Sequence, residues 1–305
     1  MNGHIVVVGS LNMDLVVRAP RLPRLGETVL GSDFRTFPGG KGANQAVACA
    51  RLGGKVKMVG RVGADSFGQA LLSTMAQDGV DLTFVRQDAE AVTGVALITV
   101  EDGGDNAIVV APGANGRVSV EDVVASEQAF DGAAVLVVQL ECPLAAVQKA
   151  IQLAHQRQAQ VVLNPAPAQP LPQDLLRQVD YLIPNQSEIL LLSGNEELDP
   201  AIDHLAALGI KNLVVTLGEK GSMVVGDSTK THLPAYRVVA VDTTAAGDAF
   251  VGAFAVALAE GASVLEAARW GNAAGALAVT KAGAQPSLPT RQALLDFMAA
   301  NQPSS

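Results

Sequence analysis

Short hydrophobic runs recur along the chain, and a stretch with helical spacing of its apolar positions follows each of them. The runs are rich in β-branched residues, which is typical of buried strands that alternate with helices in parallel sheets. They occupy residues 5–8, 135–140, 161–163, 181–183 and 213–217. This pattern predicts an α/β fold with a doubly wound, mostly parallel sheet that is flanked by helices.

Two further segments, 12–36 and 92–111, alternate apolar and polar residues and lack helical spacing. In the second segment, two apolar stretches flank the polar residues 101–105, which is a β-hairpin pattern. The segments predict a small second sheet, inserted into a single domain that covers residues 1–305. Because a small sheet with an apolar face needs a cover, we expect it to favour a homodimer. The tail, residues 301–305, is predicted to be disordered.

Composition and charge limit the kinds of partner that the protein can bind. Hydrophobic residues make up 49% of the sequence, enough to fill a large core, and the formal net charge is −9. Nucleic-acid binding depends on clustered Lys and Arg that are not visible here, so we expect no nucleic-acid partner. The two cysteines, Cys49 and Cys142, lack C-x-x-C spacing and are predicted to be reduced and buried. No basic or long apolar segment precedes the run 5–8, so we expect no signal peptide, no membrane partner and a cytoplasmic protein.

The segment 242–250, D-T-T-A-A-G-D-A-F, leads directly into an apolar stretch that predicts a buried helix. Residues 245–247 have almost no side chain, so a phosphate can reach their backbone N–H groups at the positive end of that helix. Asp248 then lies beside the phosphate, where it can take a proton from an attacking hydroxyl. The pattern indicates phosphoryl transfer. The alternative is a Thr-capped, tightly packed helix in which Asp248 only adds favourable charge to the first turn.

A second glycine-rich turn lies at residues 39–48, G-G-K-G-A-N-Q-A-V-A, and enters a predicted helix that ends near Gly53. Together the two segments resemble the paired signatures of the PfkB carbohydrate kinases, in particular their ribokinase branch, over nearly the whole chain. This resemblance implies ATP-dependent phosphorylation of D-ribose at O5, with Asp248 as general base. The small sheet would be a lid over the sugar that pairs with a partner subunit's lid. The anion hole would be formed by the N–H groups of Ala245, Ala246 and Gly247.

Asn12 and Asp14 are two residues apart, so in a strand both side chains point to the same face. Such a face suits a ligand with several hydroxyl groups, although a solvated strand edge is the alternative. Glu141 follows the run 135–140, where the carboxyl edge of a sheet usually binds ligands, although it could be a loop charge. The resemblance implies that the sugar contacts are Asn12, Met13, Asp14, Gly40, Lys41, Gly42, Asn44, Glu141 and Asp248.

Asn185 and Glu188 follow the run 181–183 and read as an N-cap and its partner in a capping box. The resemblance instead implies that Asn185 and Glu188 organise Mg²⁺ around the triphosphate. The glycines of segment 216–221 fit a hairpin turn, and the resemblance places this segment in the wall of the ATP site. Asn272, on a predicted helix around 270–280, would lie on the adenosine side. The implied ATP contacts are Asn185, Thr216, Gly218, Gly221, Gly247 and Asn272.

The segment 278–287 leaves a predicted helix through a glycine turn whose carbonyl groups are free to bind a hard monovalent cation. A plain loop end containing Gly and Pro is the alternative. The resemblance implies a potassium ion that activates the enzyme without joining the reaction. Its surroundings would be Asp242, Thr244, Ala278, Lys281, Gly283 and Ser287.

Several other chemistries find no support in the sequence. The P-loop pattern G-x-x-x-x-G-K-S/T is absent, no G-x-G-x-x-G follows the first strand, and the four histidines are scattered. Two alternatives to a ribose kinase stay open at this point. One is a kinase for 2-deoxyribose or another pentose, and the other is a non-catalytic sugar-binding protein that has kept the fold. Asp248 separates the classes, since a binding protein has no need of a base beside an anion hole.

Overall fold

The computed structural model describes residues 3–103, 105–226 and 229–301. In these ranges the strands, in chain order, are β1 (His4–Val8), β2 (Asn12–Ala19), β3 (Asp33–Gly39), β4 (Val56–Gly63), β5 (Asp81–Asp88), β6 (Gly94–Glu101), β7 (Asn106–Ala111), β8 (Ala133–Val138), β9 (Gln160–Leu163), β10 (Tyr181–Leu182), β11 (Asn212–Thr216), β12 (Ser222–Gly226) and β13 (Thr229–Leu233). The helices are α1 (Lys41–Arg51), α2 (Ser66–Gln77), α3 (Val120–Ala125), α4 (Leu144–Gln156), α5 (Gln173–Leu176), α6 (Gln186–Ser193), α7 (Leu198–Ala207), α8 (Ala246–Ala259), α9 (Val264–Ala278) and α10 (Arg291–Ala300).

The main sheet has nine strands in the order β13-β12-β11-β10-β9-β8-β1-β4-β5. The seven strands from β11 to β5 pair in parallel, and β12 and β13 continue the sheet in antiparallel pairing. Strand order runs one way from β1 through β4 to β5 and the other way from β8 onward, so β1 and β8 flank the switch point of a doubly wound sheet. The predicted fold class is therefore confirmed.

Alternate residues of the buried strands supply two separate cores. In β1, Ile5 and Val7 face the core covered by α1, α8 and α9, whereas Val6 and Val8 face the core covered by α4 and α7. All four are fully buried, because a strand in the middle of a parallel sheet has helices on both faces. Helix α8 is buried along almost its whole length, which explains its all-apolar sequence after Asp248.

The small sheet has the strand order β3-β2-β6-β7. Strands β6 and β7 form the antiparallel hairpin that the sequence predicts, and β2 pairs with β6 in parallel. The second strand of the first segment, β3, lies at residues 33–39, so it continues three residues past the predicted boundary at 36. The role of this sheet as a lid, and the boundaries of a single domain, stay predictions.

Two local features differ from the sequence analysis. The helix that carries Asn272 is longer at its start than the predicted 270–280, because it begins at Val264, where the hydroxyl of Ser263 caps it. The alternative of a Thr-capped α8 is wrong, because its N-cap is Ala245 and no side chain of that residue can close the helix end. The predicted disorder covers residues 301–305, and of these residues 302–305 lie outside the described residues, as do Gly104 and residues 1–2.

Both cysteines are free and buried, and burial raises the pKa of each thiol to about 12, so they behave as small apolar residues as predicted. Within the described ranges, no helix is long and apolar enough to cross a bilayer.

Candidate active site

The carboxyl ends of the strands around the switch point bring a set of polar side chains to one edge of the main sheet. Ser10 follows β1, Gln139 and Glu141 follow β8, Asn164 follows β9 and Asn185 follows β10. Parallel strands end on the same side of a sheet, which is why residues so far apart in sequence meet here. The two glycine-rich turns found in the sequence then place the starts of α1 and α8 against this edge.

Helix α8 begins without a side-chain cap. Ala245 occupies the N-cap position in a left-handed conformation, with φ 60° and ψ 10°. The N–H of Ala246 donates to the carbonyl oxygen of Thr243 at 3.3 Å. A Cβ added at Gly247 would meet no atom within 4 Å, so the space over that peptide is open. The positive end of α8 is thus presented to an open space, which is the arrangement expected of an anion site.

Asp248 lies in the first turn of α8 and is buried, with 6% of its surface exposed. Its Oδ2 accepts from Asn44 Nδ2 at 2.9 Å, and its Oδ1 accepts from Gln45 Nε2 at 2.9 Å. Burial raises the pKa of Asp248, while the charge of Lys41 and the two amide donors oppose that rise. The carboxylate is therefore fixed in orientation and more basic than an exposed aspartate.

Close packing of α1 against α8 makes these contacts possible. A Cβ at Gly252 would lie 2.4 Å from Cβ of Ala48, so only glycine at this position lets the two helices approach so closely. Asn44 and Gln45 are one turn away along α1, at the height of Asp248. The pair of helices therefore holds the carboxylate and its amide partners as one rigid unit.

Lys41, the first residue of α1, lines the same cavity as Asp248 and Glu188. Burial alone would lower the pKa of Lys41, but the surrounding carboxylates outweigh it and raise the pKa, so the side chain stays charged. These carboxylates are Asp248, Glu141, Glu188 and Asp14. The half-buried Lys41 among four carboxylates gives the site a positive charge beside the start of α8.

The predicted sugar contacts of β2 are buried at the end of the strand nearest to α1. Asn12 is 3% and Asp14 is 8% exposed, and the burial of both argues against a solvated strand edge. Burial, together with the charges of Glu141 and Asp248, raises the pKa of Asp14 to about 7. Met13 points to the opposite face and belongs to the core, so only its backbone can contact a ligand on the Asn12 side.

Glu141, which follows β8, joins the end of the main sheet to the start of α1. Its Oε2 accepts from the backbone N–H of Lys41 at 2.9 Å and from the hydroxyl of Ser10. The same hydroxyl accepts from the N–H of Gly42 at 3.3 Å. A Cβ at Gly42 would lie 2.5 Å from the backbone nitrogen of Ser10, so this glycine is required by close packing. Glu141 thus caps α1 from a distance and is not a free loop charge.

Two cavities that share part of their lining run from Lys41 toward α9. The smaller, about 200 Å³, is lined by Lys41, Asp248, Glu188, Asn164 and other residues of the sheet edge. The larger, about 1120 Å³, is lined by every residue that the family resemblance assigned to ATP. These are Asn185, Thr216, Gly218, Gly221, Gly247 and Asn272. The volume is adequate for a nucleotide whose phosphates reach the start of α8.

Asn185 and Glu188 form the capping box that their spacing predicts. Asn185 Oδ1 accepts from the N–H of Glu188 at 2.9 Å, and Glu188 Oε2 accepts from the N–H of Asn185 at 2.8 Å. Glu188 nevertheless lines the smaller cavity, and burial raises its pKa. A buried carboxylate beside a phosphate site has the oxygen chemistry that suits Mg²⁺ or its water ligands. No group of three or more His, Cys, Asp or Glu that could hold a metal occurs among the described residues.

Asp242 ties together the two loops that the resemblance assigns to potassium. Its Oδ1 accepts from the N–H and hydroxyl of Thr244, and its Oδ2 accepts from the N–H of Gly283 at 2.8 Å. These bonds outweigh burial and lower the pKa of Asp242. The carbonyl of Val279 accepts from the N–H groups of Val241 and Asp242, so the loops are joined on both sides. The donor set of hydroxyl and carbonyl oxygens beside one carboxylate fits a monovalent cation.

The sequence analysis missed several polar residues of this edge. Gln45 contacts Asp248 directly, and Gln139 Nε2 donates to Gln45 Oε1 at 2.6 Å. Asn164 accepts from Gln45 at 3.1 Å and donates to the carbonyl of Ile183 at 2.9 Å. Gln45 lies in the second glycine-rich motif beside Asn44, so its place could have been noticed. Gln139 and Asn164 carry no such signal, because each depends on which strand ends beside α1.

Comparison with known proteins supports one family throughout. The profile of the pfkB family carbohydrate kinases matches residues 2–291. A protein named ribokinase from Haemophilus influenzae is 43% identical over 303 residues, covering 98% of this chain and 99% of the relative. A deoxyribokinase from Salmonella typhi is 34% identical over 304 residues, with coverage of 98% and 99%.

Solved structures lead to the same family. A ribokinase from Thermotoga maritima superposes with a TM-score of 0.90 at 37% identity, covering 97% of this chain and 99% of that one. An Arabidopsis thaliana ribokinase complexed with ribose and ATP gives a TM-score of 0.88 at 34% identity, with the same coverage. The open start of α8 beside Asp248 and the matches over nearly the full length indicate the same family. The chain belongs to the pfkB family of carbohydrate kinases.

Proposed function

We propose that this kinase transfers the γ-phosphoryl group of ATP to the O5 hydroxyl of D-ribose. The observation that carries this proposal is the buried carboxylate of Asp248, held by two amide donors beside an uncapped helix start. The relatives named ribokinase and the neighbour complexed with ribose and ATP support the choice of sugar and nucleotide.

Asp248 is the general base of the reaction. It takes the proton of O5 while O5 forms a bond to the γ-phosphorus and the bond from that phosphorus to the bridging oxygen of ADP breaks. The products are ADP and D-ribose 5-phosphate. Because burial raises the pKa of Asp248, its carboxylate accepts this proton more readily than an exposed aspartate would.

The start of α8 and the side chain of Lys41 stabilise the transferred group. Negative charge spreads over the oxygens of that group in the transition state, and the N–H groups of residues 245–247 form the anion hole. The N–H of Ala246 would exchange its 3.3 Å bond to the carbonyl of Thr243 for a bond to the phosphoryl group. One donor of this kind is worth about 3 kcal/mol of the barrier. Lys41 adds a full positive charge in the cavity shared with Asp248.

The furanose ring binds between the small sheet and α1. Asn12 and Asp14 approach it from β2, and Gly40, Lys41, Asn44 and Glu141 approach it from the other side. Asn44 supports this arrangement, because its Oδ1 is buried without a protein partner among the described residues. A hydroxyl of the sugar can donate to that oxygen, which would remove the energetic cost of burying it unpaired.

Mg²⁺ would accompany the triphosphate, and Asn185 and Glu188 would hold it or its water ligands. When bound, the ion neutralises charge on the phosphate oxygens. The raised pKa of Glu188 supports this assignment, because a nearby cation would favour the charged form that burial opposes.

The loops joined by Asp242 would hold a potassium ion, which would fix the position of the 242–247 segment. The ion would stay outside the reaction and act through the backbone that leads into the anion hole. Support comes from the bonds of Asp242 to Thr244 and Gly283, which already hold both loops in register.

The small sheet acts as a lid over the sugar and pairs with the lid of a second copy to give a homodimer. Support comes from the exposure of Phe34, Leu97, Ile108, Val109 and Val110, all of which lie on its strands. Closure over the sugar would exclude water, which otherwise competes as phosphoryl acceptor. The cytoplasmic location stays a prediction of the sequence.

The proposal is tested by measuring ADP release with Mg·ATP across ribose, 2-deoxyribose, arabinose, xylose and fructose, with and without potassium. We expect ribose to give the largest kcat/KM and potassium to increase it. A preference for 2-deoxyribose would move the assignment to the deoxyribokinase-like alternative. The absence of release with all five sugars, in a protein that binds ribose, would favour the non-catalytic sugar-binding alternative.

A further inference from the structure

Asn115 makes a set of buried hydrogen bonds that no part of the catalytic mechanism uses. It lies in the turn after β7, is 1% exposed, and directs its side chain at the segment between β1 and β2. Its Oδ1 accepts from the backbone N–H of Leu11 at 2.9 Å. Its Nδ2 donates to the carbonyl oxygen of Leu11 at 3.0 Å and to Oδ1 of Asn12 at 2.7 Å.

These contacts fix the orientation of the side-chain amide of Asn115 and, through it, that of Asn12. The N–H of Leu11 can only donate and its carbonyl can only accept, so the oxygen and nitrogen of Asn115 cannot be exchanged. The Asn12 atom that faces Asn115 Nδ2 must therefore be an oxygen. The Nδ2 of Asn12 then points away from Asn115. A ligand on that side meets an N–H donor from Asn12.

Asn115 lies where the chain passes between the main sheet and the small sheet. The chain enters the small sheet between Val8 and Asn12, and it leaves the small sheet after Ala111. Asn115 joins these two crossings with one side chain. A third crossing packs on the same point, because a Cβ at Gly94 would lie 2.3 Å from both Asn115 Nδ2 and Asn12 Oδ1.

The turn that carries Asn115 is itself held in place. The N–H of Ala114 donates to the carbonyl of Val92 at 2.8 Å, and Val118 N–H donates to the carbonyl of Asn115 at 3.2 Å. Arg117 adds ion pairs to Asp88 and Glu90. The side chain of Asn115 is thus presented from a fixed backbone, which a residue that orients another amide requires.

We propose that Asn115 is the positioning residue that fixes the amide of Asn12 with its N–H donor toward the sugar, and so sets the affinity and selectivity for the sugar without touching it. This inference rests on the proposed function, because Asn12 contacts the sugar only if the chain is a sugar kinase that binds its substrate at β2.

The test is a double-mutant cycle of Asn115→Asp and Asn12→Ala, read by the KM values for ribose and for ATP. In Asn115→Asp the N–H of Leu11 keeps its acceptor, but a carboxylate cannot donate to the carbonyl of Leu11 or to Asn12. The amide of Asn12 would then turn and present its oxygen to the sugar. We expect the ribose KM to rise roughly tenfold, the loss of about one hydrogen bond, with the ATP KM changed by less than about twofold. In the Asn12→Ala background the same substitution should change the ribose KM by less than about twofold.

The exposed Asn301, at the end of α10, supplies the matched control, because Asn301→Asp adds the same charge and should leave both KM values unchanged. If thermal unfolding shows that Asn115→Asp does not fold, Asn115→Ser goes through the same cycle. An equal rise of the ribose KM in both backgrounds, or equal rises for ribose and ATP, would overturn the positioning role. Failure of the proposed function is a separate result, since the wild-type protein would then release no ADP in response to ribose.

Discussion

The side-chain amide of Gln45 donates to Oδ1 of Asp248 at 2.9 Å, across the interface between α1 and α8. Gln45 is fully buried, and its own oxygen accepts from Gln139 at 2.6 Å, so its orientation is set before any substrate binds. A donor to the charged form of a carboxyl group lowers its pKa. Gln45 therefore offsets part of the rise that burial imposes on Asp248.

Replacing Gln45 with Leu removes this donor and leaves an apolar side chain of similar volume. The pKa of Asp248 should rise further, so the acid limb of the kcat profile should move upward by about one pH unit. At pH 6 the variant would be slowed more than at pH 9. Gln152 is exposed, so Gln152→Leu is the matched control and should leave the kcat profile unchanged. A variant whose kcat is lowered equally at every pH would show that Gln45 only supports the packing.

Asp248→Asn keeps the shape of the side chain and removes the proposed base. Turnover should fall by roughly 10²–10⁴-fold, the usual contribution of a general base. Ribose binding, followed by calorimetric titration, should be retained because the sugar contacts from β2 and α1 are intact. A kcat within a factor of about ten of the wild-type value would contradict the assignment of Asp248.

Asp14 should lower the stability of the ligand-free protein at high pH. Its pKa is raised from 3.8 to about 7 by burial, so above pH 7 the fold holds a carboxylate that would be better solvated in the unfolded chain. Below about pH 4 both states are protonated, and this penalty disappears. Asp14→Asn should therefore stabilise the protein at pH 8, by at most about 4 kcal/mol, and progressively less toward pH 4. Thermal unfolding at pH 8 and pH 5 would test this, and an equal change at both values would contradict it.

Ala245 adopts the left-handed backbone at φ 60°, which costs most residues about 1–2 kcal/mol. Ala245→Gly should raise the free energy of unfolding by about 0.5 kcal/mol and keep most turnover, since glycine has no penalty there but more freedom when unfolded. Ala245→Val should lower it, because a β-branched side chain fits this conformation poorly. The expected order of melting temperatures is Gly, Ala, Val. An inverted order would mean that the segment adopts another backbone conformation in solution.

Ile108 and Val109 are adjacent on β7, so their exposed side chains point to opposite faces of the small sheet. If the lid covers a second copy, Lys at one of these two positions should dissociate the dimer, and Lys at the other should leave it intact. Analytical ultracentrifugation of Ile108→Lys and Val109→Lys would identify the covered face. A wild-type monomer, or a dimer that survives both substitutions, would contradict pairing through the lid.

The sequence is sufficient to predict the elements whose chemistry is local. The two glycine-rich helix starts, the hairpin of β6 and β7 and the alternating strands all depend on neighbouring residues, and they were predicted correctly. The hydrogen-bond partners of Asp248 could not be predicted in this way, because they lie about 200 positions away in the sequence. The bond from Gln45 Nε2 to Asp248 Oδ1 is the example. No periodicity encodes such a contact. It follows only from strand order and from the close packing at Gly252.

The role of Asn115 also could not be predicted from the sequence. In the sequence it belongs to a polar turn, G-A-N-G-R, that looks like an ordinary loop. Its role depends on the turn meeting Leu11, which precedes β2 and is separated from Asn115 along the chain by all the elements from β2 to β7. A burial of 1% for an asparagine in a loop is the signal that the structure adds.

In the proposed site, the base and the phosphate cradle belong to the helix pair α1–α8, whereas Asn12 and Asp14 belong to a separate sheet. Because of this division, sugar recognition can be changed by substitution without altering the helices that hold the base. Substitutions in β2, or at its neighbour Ala96 in β6, can reshape the sugar-binding face while the helix pair keeps the proton acceptor in place. A library aimed at new acceptor sugars would therefore sample the small sheet and leave α1 and α8 unchanged.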